Sequence, residues 1–251
     1  MTGVQTCALP ISIDLARRAG DLLMSIRAGF TGEAGDAALG DLGDRAANEL
    51  LLEGLATARP DDAVLSEESA DDPARLDASR VWIIDPLDGT REFREGRDDW
   101  AVHVALSVDG RPEVGAVALP SLGVVHGTQP PPAIAPAAPG APRLTVSRTR
   151  DVPITGPLQE ALGAELIPMG SAGAKAMAIL RGEADIYAHE GGQYQWDNCA
   201  PVAVARAAGL HASRLDGSPL VYNGAERSLP DLLICRPELA TAVLDVVRSR
   251  A

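Results

Sequence analysis

Aromatic residues, cysteine and positive charge are all scarce in this chain, and each shortage narrows what it does. Phe, Trp and Tyr make up 3% of its 251 residues, in a composition (46% hydrophobic, 23% charged) otherwise usual for a soluble globular protein. Cys7, Cys199 and Cys235 are three, odd in number and scattered. They lack metal-type spacing and suit a reduced cytosol. Lys and Arg number 22 against 35 Asp and Glu, a net charge of -13. That disfavours a nucleic acid polymer or an anionic membrane, since both need a basic face to offset phosphate. A small phosphorylated molecule stays possible, because a bound divalent cation reverses the local field. No apolar run approaches the ~18 residues of a membrane span, and no charged start with a long apolar core marks a signal peptide. A cytoplasmic protein is expected. No repeat of fixed period stands out, and the stretch GSAGAK lacks the spacing of a P-loop.

What is present is a regular alternation of helix and strand. The length exceeds that of a usual single domain, so one large domain or two lobes with an ample core is expected. Ile11, Leu15, Ala19, Leu22, Leu23 and Ile26 recur at helical spacing behind Ser12 as a cap, and Gly29 ends the helix. The opening MTGVQTCALP lacks that period and reads as no native part of the fold, which leaves Cys7 without a role. Residues 30–43 read as a mobile, glycine-rich loop, and residues 44–58 as a second helix. Asp44, at its start, fits an N-cap. Residues 63–65 form a short strand delivering Ser66, Glu67 and Glu68. Residues 98–108 and 113–119 read as strands around an Asp109-Gly110 turn, with His103 as a core histidine. Proline and alanine dominate residues 128–142, the connection expected between a lobe of residues 12–127 and a lobe of residues 143–251. Strands follow at 144–146, 165–168 and 183–188, with helices at 156–162, from Gly170-Ser171 through Arg181, and at 196–208.

The stretch that carries chemistry is residues 81–90, VWIIDPLDGT. A buried strand runs into Asp85-Pro86, and a tight turn ends at Asp88-Gly89-Thr90. The fixed φ of Pro86 and the freedom of Gly89 can aim Asp85, Asp88 and the Leu87 carbonyl at one point. Such an all-oxygen set suits Mg²⁺, although a solitary motif of this kind also fits an ordinary Asp-rich turn. The amides of Gly89 and Thr90 can hold an anion. Adjacent acids on a strand point to opposite faces, so one of Glu67 and Glu68 aims at a shared metal while the other supports it or meets solvent. Asp197, behind Trp196 at a helix start, is either a cap or a distant leg of the same site.

Glu67-Glu68, then Trp82 through Thr90 as WIIDPLDGT, then Trp196-Asp197 in that order resemble the inositol monophosphatase superfamily of Mg²⁺-dependent, lithium-sensitive phosphatases. The resemblance covers Ser12 to the C-terminus. It implies an α/β fold of layered type, a five-layer α-β-α-β-α sandwich. Within the superfamily, residues 64–126 and 209–223 most resemble actinobacterial enzymes of the CysQ type, 3'(2'),5'-bisphosphate nucleotidases that remove the 3'-phosphate from adenosine 3',5'-bisphosphate. That implies AMP as product, the sulfated nucleotide as a further substrate, and a link to sulfur metabolism.

Carried over by position, the resemblance implies that Glu67, Asp85, the Leu87 carbonyl, Asp88 and Asp197 hold two or three Mg²⁺ ions, with Glu68 supporting them. Asp44 and Thr90 activate the attacking water together with metal-bound Glu67, and the Gly89 and Thr90 amides hold phosphate. The usual family lead-in before Asp44 is replaced by Gly40-Asp41-Leu42-Gly43. Gly170, Ser171 and Lys175 fall where the nucleotidases bind substrate, Lys175 suiting a second phosphate, although a lysine on an exposed helix is ordinarily only solvated. Glu190 falls where inositol monophosphatases contact their polyol. An inositol-1-phosphate or fructose-1,6-bisphosphate phosphatase is therefore the alternative, and a catalytically silent nucleotide- or metal-binding regulator a further one. A homodimer is the family's common assembly.

Overall fold

The computed structural model describes residues 3–250, the side chains of residues 3–7 and 9 excepted. Two helices lead, α1 (Gly3–Gly29) and α2 (Ala37–Ala58). Then come β1 (Ala63–Ser66), β2 (Arg80–Asp88), the short helix α3 (Thr90–Arg94), β3 (Ala101–Val108), β4 (Arg111–Leu119) and β5 (Val124–Gly127). After residues 128–142, which hold neither helix nor strand, follow β6 (Arg143–Ser147), α4 (Thr155–Leu162), β7 (Glu165–Met169), α5 (Ala172–Leu180) and β8 (Ile186–Tyr194). Next are α6 (Gln195–Ala208), β9 (His211–Ser213), β10 (Ser228–Cys235) and α7 (Ala240–Arg248). No helix among the described residues is long and apolar enough to cross a membrane.

The strands form two five-stranded sheets, ordered β1-β2-β3-β4-β5 and β7-β6-β8-β10-β9. In the first, β1 and β2 are parallel and the rest antiparallel; in the second, β6 runs parallel to both β7 and β8. The side-chain alternation of β2 explains the layering. Trp82 and Ile84 point to one face, where Leu15, Leu23, Leu51 and Leu55 of α1 and α2 cover them. Val81 and Ile83 point to the other, into a core shared with Met177 and Ile179 of α5, Val202 and Val204 of α6, and Leu232 and Ile234 of β10. A third core joins Leu144, Ile186 and Leu233 to Leu158 of α4 and Val243 of α7. The result is a five-layer α-β-α-β-α sandwich, and the strand buried on both faces reads as a continuous apolar run.

The middle layer is thin by composition. All nine residues of α5, AGAKAMAIL, are buried. Gly115 of β4 lets α6 rest on the sheet backbone, since a Cβ there would lie 2.8 Å from the Ala200 carbonyl oxygen and from the Ala203 methyl. Truncating Trp82, fully buried, would cost about 3–5 kcal/mol.

Four boundaries differ from the sequence expectation, each for a local reason. Helix α1 begins at Gly3, and Ser12, expected as its cap, is fully buried inside it. Ala8, Leu15, Ala16, Ala19 and Leu23 share the buried face, and Pro10, inside the helix, disguises its start. The expectation for Cys7 falls on a side chain outside the described residues. Helix α2 starts at Ala37 with Asp36 as its cap, so residues 37–43 are helical and Asp44 lies well inside the helix. The two glycines of its first turns mislead, for both are sites of close approach: Gly40 faces Thr90 and Arg94, and Gly43 faces Leu23, Leu87 and Phe93. Strand β2 continues past Pro86, and the missing amide is absorbed by a register shift between Asp85 and Asp88. Strand β8 runs later than expected, Ile186–Tyr194 in place of 183–188. The Asp109-Gly110 turn has positive φ at both positions, 49° and 76°, as its sequence implied.

Candidate active site

The end of β2, the end of β1, and the starts of α5 and α6 meet at one cleft of about 390 Å³. Glu67, Asp88, Gly89, Thr90, Lys175 and Asp197 line it. A larger groove of about 680 Å³ lies between α1 and α2, away from the carboxylate cluster.

One carboxylate oxygen from each of Asp85, Asp88 and Asp197 lies within 4.8 Å of the others. Asp85 is 1% exposed; its Oδ1 accepts the Leu87 amide at 3.1 Å, and its buried Oδ2 has no partner. Burial, then the charges of Glu67, Asp88 and Asp197, push its pKa well above the carboxylate range. Burial and the Asp88 charge raise Asp197 to about 6, although its Oδ2 accepts the Tyr194 amide at 2.6 Å. Glu67 is open to solvent on one side while its carboxyl meets Asp85. Burial of that carboxyl and the charges of Asp197 and Asp88 bring it to about 7. Such a cluster, repelling itself and holding an orphaned buried oxygen, fits a hard cation with oxygen ligands.

Asp88 is the exception. Its Oδ2 accepts Ser171 Oγ at 2.5 Å and the Gly173 amide at 2.7 Å, and its Oδ1 accepts the Ala172 amide at 3.1 Å. Burial opposes its charge, but His103 and these donors outweigh it and hold Asp88 at about 2. His103, expected to be a plain core residue, sits fully buried with Nε2 3.2 Å from Asp88 Oδ2 and Nδ1 3.0 Å from the Trp196 carbonyl oxygen. The Nε2 approach has ion-pair distance but poor hydrogen-bond alignment, so charge carries it. Asp85 pairs with His103 across the β2–β3 ladder, a register that sequence spacing does not reveal.

Thr90 Oγ1 donates toward Asp44 Oδ1 at 3.4 Å and the Leu87 carbonyl at 3.2 Å, so Asp44, Thr90 and Leu87 do come together. Burial and the charge of Glu68 lift Asp44 to about 7 against the Thr90 hydrogen bond. Glu68 therefore acts chiefly on the α2 side of the cleft, and Glu67 on the Asp85 side. Gly89 caps α3 in the left-handed region (φ 93°), where a Cβ would also stand 3.2 Å from the Cβ atoms of Ser171 and Trp100.

The expected substrate residues are placed unequally. Lys175, the only lysine in the sequence, is buried. Its ammonium donates to the carbonyls of Gly170 and Ser171 and lies 5.3 Å from the Tyr187 ring centroid. Burial brings it down to about 8, against the pull of Asp88 and Glu92. The Gly170 amide donates to Asp99 Oδ2 at 2.6 Å, and Ser171, strained at φ 23°, caps α5 while donating to Asp88. These groups thus brace Asp88 as well as lining the cleft. Glu190 lies outside the lining, and its carboxylate pairs with Arg250 at 3.2 Å. Thr149, Arg150, His189, Gln193 and Tyr194 line the cleft without having drawn notice in the sequence. No motif marks them, because β6 and β8 bring them there from distant positions.

Known proteins resemble this chain over most of its length. The model of the inositol monophosphatase family matches residues 5–243. A protein of Mycobacterium leprae named 3'-phosphoadenosine 5'-phosphate phosphatase is 50% identical over 251 residues, spanning 95% of this chain and 92% of its own length. A protein of the same name from Mycobacterium tuberculosis is 53% identical over 238 residues, covering 91% and 89%. Among solved structures, CysQ from Bacteroides thetaiotaomicron superposes with a TM-score of 0.76 at 26% identity, covering 90% of this chain and 96% of its own. With its layers, its acidic turn and its full-length relatives in agreement, this chain belongs to the inositol monophosphatase family.

Proposed function

We propose that this chain is a metal-dependent phosphomonoesterase that hydrolyses the 3'-phosphate of adenosine 3',5'-bisphosphate to give AMP and inorganic phosphate. The observation that carries the substrate is the 50–53% identity, over nearly the whole chain, to proteins named for that activity. In this reading Glu67, Asp85, the Leu87 carbonyl, Asp88 and Asp197 hold two or three Mg²⁺ ions, the lobe of residues 12–127 supplying all of them except Asp197, which comes from the lobe of residues 143–251. When bound there, Mg²⁺ offsets the charge gathered around the phosphate and makes a bound water more acidic.

The chain's own residues orient the attack. Thr90 Oγ1 directs its hydrogen toward Asp44 and Leu87, which leaves a lone pair free to accept from a water. Asp44, poised at about 7, accepts the proton that the water loses through Thr90. The water oxygen bonds to phosphorus as the bond from phosphorus to O3' breaks, the leaving oxygen takes a proton from solvent water to become the ribose hydroxyl, and the proton held by Asp44 returns to solvent. The Gly89 and Thr90 amides steady the phosphoryl oxygens, and Glu68 keeps Asp44 proton-hungry by repulsion. Lys175 balances the negative charge of Asp88 from behind the Gly170-Ser171 turn and favours a second phosphate. Placement of Glu190 outside the cleft argues against a polyol phosphate. A cytoplasmic homodimer serving sulfur metabolism completes the reading, its assembly checked by size-exclusion chromatography with light scattering.

The deciding experiment measures phosphate release with Mg²⁺ from adenosine 3',5'-bisphosphate, inositol 1-phosphate and fructose 1,6-bisphosphate side by side. The highest kcat/KM is expected for the nucleotide. A preference for either other substrate overturns the assignment, and no turnover of any makes the chain a binder.

A further inference from the structure

The nucleotide assignment leaves open what recognises the base, and on that reading the structure points to one side chain. Tyr194 ends β8 immediately before α6, and its amide donates to Asp197 Oδ2 at 2.6 Å, so its backbone is fixed beside the acid cluster. Its ring lies nearly parallel to that of Trp196, with centroids 4.9 Å apart and planes 9° from each other. Trp196 is buried at 4% exposure and forms a rigid back wall, while Tyr194 is 44% exposed. Of the large apolar side chains most exposed among the described residues, Leu76, Leu122, Tyr194 and Val221, only Tyr194 lines the cleft.

An aromatic ring held open to solvent, backed by a second ring and set at the rim of an otherwise polar cleft, suits a flat π-system better than a polyol. A parallel stack uses one face of Tyr194 and leaves the other for a planar ligand. Because Trp196 already restrains the ring, little side-chain freedom is lost when a base settles on it. The cleft floor holds the acids, and Thr149 and Arg150 face it from the β6 side. A phosphate at the floor therefore leaves the base of the same nucleotide to reach the rim. We propose that Tyr194 is the specificity-determining residue for the nucleobase, stacking on it and thereby separating nucleoside bisphosphates from sugar and polyol phosphates.

The test compares wild type with Tyr194→Ala, Tyr194→Leu and Tyr194→Trp on two substrates, adenosine 3',5'-bisphosphate and the same ribose bisphosphate lacking its base. Tyr194→Ala should raise KM for the nucleotide roughly tenfold or more, the worth of one base–aromatic stack, with kcat retained. KM for the base-free substrate should stay within about twofold, since binding to the phosphates is untouched. Tyr194→Trp should restore the nucleotide KM. An equal rise on both substrates, or none on either, overturns the stacking role. Tyr194→Leu gives the same answer should the alanine variant fold poorly, as it fills the space without a π-face. Calorimetric titration of AMP into wild type and variants reads the same contrast without turnover. If wild type itself prefers the base-free substrate, the nucleotide assignment fails first, and that outcome is distinct from a wild type that prefers the nucleotide while Tyr194→Ala does too.

Discussion

Asp85 and Asp185 are the same residue type at nearly the same depth, 1% and 4% exposed, and the fold treats them in opposite ways. Asp185 is surrounded by donors: Arg143 reaches it through Nε at 3.0 Å, Nη2 at 3.1 Å and its amide at 2.9 Å, and Arg236 through Nε at 2.8 Å. Burial opposes its charge, yet these partners outweigh that and lower its pKa. Asp85 receives one amide and otherwise faces acids, and its pKa is driven up. The first carboxylate is finished by the chain, fastening β6 to the loop before β8 and to the end of β10. The second is left unfinished, so its partner must come from outside. A buried carboxylate with a single protein donor and acids around it therefore suits a cation supplied from outside the chain.

Replacing each by its neutral amide sharpens the contrast. On the proposed reading, Asp85→Asn removes an oxygen ligand and a self-repelling charge together. Phosphate release should fall by more than the roughly 10–100-fold that outer-shell changes cost at metal sites, while the metal-free protein melts no lower than wild type. Retained turnover would remove Asp85 from the metal site. Asp185→Asn should do the reverse. Arg143 and Arg236 are left without their buried counter-charge, at a cost of about 3–5 kcal/mol. At about 2–4 °C per kcal/mol for a chain of this length, thermal denaturation should show a fall of roughly ten degrees. The kcat of the folded protein should not change, and a variant that melts like wild type would show the knot to be dispensable.

The same contrast explains what could be read from the residues alone. Apolar runs alternating with helical periods mark the order of elements, the family resemblance supplies their layering, and β2, buried almost throughout, carries the turn that begins the site. Asp85, Asp88 and Asp197 were nameable because each sits in a dense local motif. His103, Ser171 as a donor to Asp88, and Tyr194 were not: His103 meets Asp88 only through the pairing of β2 with β3, Ser171 lies 83 residues from Asp88, and Tyr194 matters through a surface left open. Helix starts were misjudged where glycine serves packing instead of termination, as Gly40 and Gly43 do, and where Pro10 sits exposed inside a helix. Lys175 was named as a substrate contact through the resemblance, and its burial was signalled only by the small apolar residues on every side of it in α5.

The smallest expected effect concerns pH. Glu67 at about 7, Asp197 at about 6 and Asp85, held well above the usual carboxylate range, all bind protons more tightly in the folded protein than in the unfolded chain. A group with a raised folded pKa lowers stability as pH climbs from its unfolded value, near 4, through its folded one, and the cost is complete above that. The metal-free protein should therefore melt highest near pH 5 and several degrees lower at pH 8. Asp185 has the opposite sign: its depressed pKa contributes stability above about pH 4, lost only as the solution becomes more acidic. On the proposed reading Mg²⁺ competes with protons for the cluster, so saturating Mg²⁺ should flatten the decline between pH 5 and 8, leaving the share of Asp44, and leave the acid limb unchanged. Thermal melts with Mg²⁺ and with a chelator, run across that range, decide the matter. Two curves that stay parallel at every pH would mean that the acids around Asp85 are not where the metal binds.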